Sequence, residues 1–141
     1  KNFQAGLQLL RQLELSLFYF RLHLEFDPKK DYTQIQALLD KIRKRINIIP
    51  VSPFNRFQHG FSHIFAGGYA AGYYSYLWAE VLSCDAFTKF LEDGIFNQET
   101  GQAFLQSILE QGGAIDAMEL FKKFRGREPK IQAFLKSLDI E

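Results

Sequence analysis

The 141-residue chain has one cysteine, four prolines and no long hydrophobic run. Cys84 alone cannot form an internal disulfide, which favours a reducing, cytoplasmic setting. It lies inside an apolar helical run, "AEVLSCDAF", so a buried structural thiol is expected there. No apolar run approaches the ~18 residues that a membrane span needs. No basic-then-apolar leader opens the chain, which starts at Lys1 and so reads as a piece of something longer. Neither sign of charge is in excess: 17 Lys and Arg face 16 Asp and Glu, for a net charge of +1. Neither nucleic acid nor membrane is therefore expected as a partner. Clean period-two alternation is also missing, so no sheet is expected.

What remains is a globular composition with a bulky core: 47% hydrophobic residues, with fifteen Phe among them. The patterning predicts an all-α fold of six helices and a single helical domain over 1–141. The first helix runs through "NFQAGLQLLRQLELSLFYFRLHLEFD". Leu7, Leu10, Leu13, Leu17, Phe20 and Leu24 form one stripe; Leu9, Leu15, Phe18 and Leu22 form a second, so burial on more than one side is expected. Asp31 or Thr33 can cap a second helix whose stripe is Ile35, Leu38, Leu39, Ile42 and Ile46. Its Lys41, Arg43, Lys44 and Arg45 read as a solvated face near the negative end of the dipole. Residues 47–62 read as an extended connection anchored by Phe54, Phe57 and Phe61. Four more helices follow, with Gly94, Gly112-Gly113 and Gly126 as stops, Asn97 as a cap and Pro129 in the first turn of the last.

The stretch "HGFSHIFAGGYAAGYYSY", His59 to Tyr76, concentrates unusual chemistry. His59 and His63 have the four-residue spacing that places two metal ligands on one helix face. The zinc-peptidase pattern His-Glu-x-x-His is absent, however, because the residues are His-Gly-Phe-Ser-His. Gly60 weakens the required helix, and no third ligand is apparent, so a zinc site here is disfavoured. "AGGYAAG" is glycine-rich before a helix but lacks the strand and the lysine of a phosphate cradle. Two readings stay open. Gly67-Gly68 can hinge a loop that carries Tyr69, Tyr73, Tyr74 and Tyr76, whose phenols are neutral donors suited to an oxyanion. Alternatively, these tyrosines pack a core and use their hydroxyls at its rim.

The segments "FSHIFAGGYAAGYYSYLWAEVLS", "GIFNQETG", "ILEQGG" and "FRGREP", together with "FQAGLQLLRQLELSLFYFRLHLEF" and "NRFQHGFSHIF", carry a resemblance across essentially the whole chain. They resemble the C-terminal end of the thimet oligopeptidase and oligopeptidase A family of zinc metallopeptidases; the bacterial oligopeptidase A branch fits best. The resemblance implies the C-terminal portion of a mostly helical, cytosolic or organellar peptidase that cuts short peptides in a channel. It implies a zinc ion held by a His-Glu-x-x-His helix and a downstream Glu, none of them in this chain. The partners implied are short peptides and the remainder of the peptidase chain.

The family pattern is a His before the glycine loop, a Tyr just after the paired glycines and a Tyr seven further on. Those positions are His63, Tyr69 and Tyr76. By resemblance, Tyr76 and His63 stabilise the tetrahedral oxyanion, Tyr69 closes over the peptide on the Gly67-Gly68 hinge, and Tyr73 lines the same wall. Tyr19 stands where many relatives are expected to carry an acidic residue that could pair with Arg21 or Arg56; no bearing on chemistry is expected. Without the zinc helix the chain alone is expected to be inactive, and its exposed apolar surface is expected to drive self-association. The alternative from another class is a stand-alone, non-catalytic helical peptide-binding module.

Overall fold

The computed structural model describes residues 2–140. Six α-helices and no strand occur among them, as the patterning predicts: α1 (Ala5–Glu25), α2 (Thr33–Ile46), α3 (Ser75–Asp93), α4 (Gln98–Phe104), α5 (Ala117–Arg125) and α6 (Gln132–Ser137). They fall into two compact units that divide between Leu77 and Trp78, inside α3.

In the first unit α1 packs on α2. Leu15, Phe18, Tyr19 and Leu22 of α1 meet Leu39 and Ile42 of α2, with Ile64 closing the cluster. The chain reverses at Asp27-Pro28, since proline disfavours helix in the residue before it. Asp31, rather than Thr33, supplies the acceptor at the start of α2: the Thr33 amide donates to Asp31 Oδ1 at 2.7 Å. Residues 47–64 then return along both helices in two single 3₁₀ turns, Phe57–His59 and Ser62–Ile64.

Several expectations change here. The second stripe of α1 is the buried one, while much of the first is open: Phe20 is 48% and Leu24 73% exposed. A 21-residue helix that packs on a single 14-residue partner can bury only one of its two apolar faces. Arg43 does not join the solvated basic face. It turns inward, because the carboxylate of Glu14 is buried on α1 and needs donors. Arg43 Nε donates to Glu14 Oε1 at 2.9 Å, and Asn47 Nδ2 donates to Oε2 at 3.0 Å. Phe57 and Phe61 anchor the connection, but Phe54 is 88% exposed on a turn that no helix backs.

The second unit buries Ala86, Phe121 and Phe124 against Leu82, Phe90, Phe104 and Ile108. α4 is capped by Asn97, whose Oδ1 accepts from the Thr100 amide at 3.1 Å. It runs on into a π turn, Leu105–Leu109. Gly94 (φ 105°) and Gly126 (φ 73°) end α3 and α5 in left-handed conformations that only glycine adopts cheaply. Pro129 lies before α6, not in its first turn: α6 begins at Gln132, and the chain first anchors itself on Asp85 through the Lys130 amide. Cys84 is half-buried instead of buried, since its neighbours Asp85 and Ala86 take the inward positions on α3; its Sγ lies 3.7 Å from Ser137 Oγ.

Asp85 is the polar centre of this unit. It is 1% exposed and accepts from Arg127 Nη1 at 2.7 Å and from the Lys130 amide at 2.6 Å, with Arg125 Nε 3.5 Å away. Burial pushes its carboxyl up, but the Arg127 hydrogen bonds, the Lys130 amide and the Arg127 and Arg125 charges together outweigh that and hold it at about 2. A carboxyl depressed on folding contributes stability that is present above its unfolded value near 3.9 and is lost as pH falls through about 2. Asp85→Ala should therefore cost about 3–5 kcal/mol at neutral pH, because it removes the one buried acceptor that the Arg127 guanidinium and the Lys130 amide share. About 2–3 kcal/mol of acid-dependent stability should vanish with it. Urea unfolding between pH 7 and pH 2 checks both; an unchanged midpoint at pH 7 would contradict the assignment.

Candidate functional site

The His59–Tyr76 stretch lies wholly in the first unit. Up to Tyr74 its backbone is a series of tight turns, and α3 begins at Ser75. Phe57–His59 closes with the Gly60 amide donating to the Phe57 carbonyl at 3.1 Å, and Ser62–Ile64 closes with Phe65 N–H to Ser62 O at 3.1 Å. His59 and His63 therefore ride on separate turns, and their four-residue spacing does not make one helix face. His59 is exposed beside a largely apolar cavity of about 620 Å³, which Phe18, Leu22, Ile35 and Phe65 also line. His63 turns instead toward the tyrosines. No group of three or more His, Cys, Asp or Glu able to hold a metal occurs among the described residues. Among the described residues the donor set thus does not fit a zinc site.

Gly67 (φ 71°) and Gly68 (φ 76°) are consecutive left-handed residues that bend the chain sharply before Tyr69. Gly67 is also a close-approach point: a Cβ there would lie 3.1 Å from Tyr69 Cδ2. The third left-handed residue is Ala71 (φ 54°), not Gly72; the Gly72 amide closes a turn by donating to the Tyr69 carbonyl at 2.8 Å. α3 begins three residues later, so Tyr76 sits in its first turn.

These turns gather the named side chains into one aromatic wall. The His63 ring lies 5.3 Å from Tyr69 and 5.9 Å, edge-on, from Tyr73. Tyr76 stacks on Tyr69 at 5.4 Å and tilts against Tyr73 at 5.3 Å. Tyr74 points elsewhere and meets Phe20 edge-to-face at 6.0 Å. Tyr76 is 42% exposed. Hydrogen bonding to the Tyr69 phenol, then desolvation, then the fields of Tyr69 and Tyr73 raise its pKa above the usual phenol value. It remains a neutral donor throughout the physiological range. Tyr73 offers a ring more than a proton, because its hydroxyl already donates to Gln12 Oε1 at 2.9 Å.

Three further residues belong to the wall, none of which the sequence pattern assigns to the site. Phe61 stacks on His63 at 4.8 Å, Tyr19 stacks on Phe61 at 5.4 Å, and Gln12 holds Tyr73. Gln12 and Tyr19 are seven apart on α1, a spacing that puts them on one face. That was the available signal. Neither Arg21 nor Arg56 waits for an acid at position 19: Arg21 pairs with Glu25, and Arg56 donates to the Pro53 and Asn55 carbonyls.

A helical chain that gathers His63, Tyr69, Tyr73 and Tyr76 around a turn of paired glycines matches a family of known peptidases. The match to Peptidase family M3 spans residues 1–140, and the chain belongs to that family. Over 141 residues it is 57% identical to oligopeptidase A of Escherichia coli and 56% identical to that of Salmonella typhimurium. It is 44% identical over 140 residues to a probable cytosolic oligopeptidase A of Arabidopsis thaliana. All of this chain but only 21% of each bacterial relative is covered, so it spans about a fifth of their length.

Gly67 and Gly68 should differ on substitution. Gly68→Ala should cost about 1–2 kcal/mol from left-handed strain alone. Gly67→Ala should cost more, since its Cβ also pushes the Tyr69 ring. Gly101→Ala, in open space inside α4, should be neutral or stabilising. Denaturant midpoints of the three variants test the ranking; equal midpoints for Gly67→Ala and Gly101→Ala would contradict it.

Proposed function

We propose that this chain forms the oxyanion- and substrate-contacting wall of a zinc metalloendopeptidase that hydrolyses short peptides. The observation that carries the reading is the convergence of His63, Tyr69 and Tyr76 on one partly exposed wall with a protonated phenol among them. When water adds to a peptide carbonyl, the oxygen becomes an oxyanion. A neutral phenol already positioned there stabilises the charge with little reorganisation. Tyr76 is the principal donor and His63 the second. Tyr69, on the Gly67-Gly68 bend, covers the peptide, and the Tyr73 ring lines its path.

The reading requires a zinc ion held by residues outside this chain, and the 141 residues alone do not hydrolyse peptides. All of 1–141 acts as one C-terminal helical domain beside the remainder of the peptidase chain. The open stripe of α1, Leu13, Leu17, Phe20 and Leu24, is the surface that remainder covers. The single Cys84 and the cytosolic relative support a cytoplasmic setting. No helix among the described residues is long and apolar enough to cross a membrane.

Two outcomes follow. In a chimaera where these 141 residues replace the matching segment of Escherichia coli oligopeptidase A, Tyr76→Phe should lower kcat on a quenched fluorescent heptapeptide by about 10²–10³-fold, with folding intact. Unchanged kcat would refute the oxyanion role. The 141-residue chain by itself should self-associate in light scattering as concentration rises, through its open apolar stripe. A monomer at high concentration would contradict that surface assignment.

A further inference from the structure

We infer that Tyr19 is a positioning residue for the site, the base on which both oxyanion donors are set; this rests on the peptidase reading above. Its side chain is fully buried on α1, yet its hydroxyl has no hydrogen-bond partner. A buried, unpartnered hydroxyl costs stability, so the ring is what the site uses.

Two aromatic chains start from that ring. In one, Phe61 lies flat on Tyr19, with centroids 5.4 Å apart and planes 6° from parallel. Phe61 in turn stacks on His63 at 4.8 Å. In the other, Tyr73 meets Tyr19 edge-on at 5.5 Å, and Tyr76 rests on Tyr73 at 5.3 Å. The two chains are cross-braced by the Phe61–Tyr73 edge contact at 5.7 Å. His63 and Tyr76 thus belong to different turns but share one support. The Gln12 hydrogen bond to Tyr73 fixes the second chain to the same helix face. Tyr19 touches no substrate; it sets where the two donors point. Such geometry matters, because displacement of a catalytic group by about 1 Å can cost about 10²-fold.

The test combines kinetics in the chimaera with spectroscopy of the 141-residue chain. Tyr19→Leu, which removes the ring, should lower kcat by roughly 10- to 100-fold with KM much less affected. Tyr19→Phe, which keeps the ring, should restore it. Adding Tyr19→Leu to Tyr76→Phe should cost less than Tyr19→Leu alone, because the part of its effect that runs through Tyr76 is already lost. Leu39→Ala, a core truncation in the same unit, should combine additively with Tyr76→Phe. If Tyr19→Leu is fully additive with Tyr76→Phe, or if Tyr19→Phe fails to restore kcat, the positioning role is overturned.

Should Tyr19→Leu not fold, the 141-residue chain decides. Its proton spectrum should show Overhauser effects from the Tyr19 ring to Phe61 and Tyr73, and a ring-current shift at His63 that Tyr19→Phe retains. Their absence would overturn the inference. These spectral readouts are independent of catalysis, so a silent Tyr76→Phe would sink the oxyanion reading without touching them.

Discussion

The first unit depends on a carboxylate sealed from water. Glu14 sits in the middle of α1 and is 1% exposed, and a charge in that position persists only if donors surround it. Arg43 from α2, Asn47 from the segment after it and Arg11 from α1 itself supply them. Arg43 extends the chain of bonds to Asn55, and the Arg11 and Arg43 guanidinium groups both lie over the Phe57 ring. One buried charge thereby ties α1, α2 and the returning connection into a single register. That register lays Phe57 on Phe18 and Phe61 on Tyr19, and so delivers His63 to the tyrosine wall.

Helices were the most legible part of the sequence, because their signals are local. The stripe of α2, the Asn97 cap and the glycine stops at 94 and 126 all appear where the pattern puts them. Burial was less legible. α1 carries apolar residues on two faces, and periodicity alone cannot say which one a partner covers. Arg43 looks like its neighbours Lys41, Lys44 and Arg45 until Glu14, 29 residues away, becomes its partner. Pro129 fits the first turn of a helix by rule, but the buried Asp85 claims the Lys130 amide and delays α6.

The site was half legible. His63, Tyr69, Tyr73 and Tyr76 are neighbours in sequence, and short turns make them neighbours in space. The His59/His63 spacing pointed to a helix that Gly60 and two separate turns prevent. By its position in the sequence Tyr19 reads as chemically idle; its place under Phe61 and Tyr73 depends on contacts spanning some fifty residues, which no local pattern encodes. The contacts are layered: Glu14 ties α1, α2 and the connection together, Tyr19 lies under Phe61 and Tyr73, and Tyr76 rests on Tyr73 and Tyr69.

The central claim is that this wall recognises the tetrahedral oxyanion more tightly than the peptide carbonyl that precedes it. The most direct measurement is the inhibition constant of a phosphinic peptide, a tetrahedral anion, in the chimaera with and without Tyr76→Phe, set beside the affinity of the matching uncleaved peptide. The account predicts that the variant loses affinity for the phosphinic peptide in step with its loss of kcat/KM, while affinity for the ordinary peptide barely changes. Equal losses for both ligands, or none for the phosphinic peptide, would contradict it.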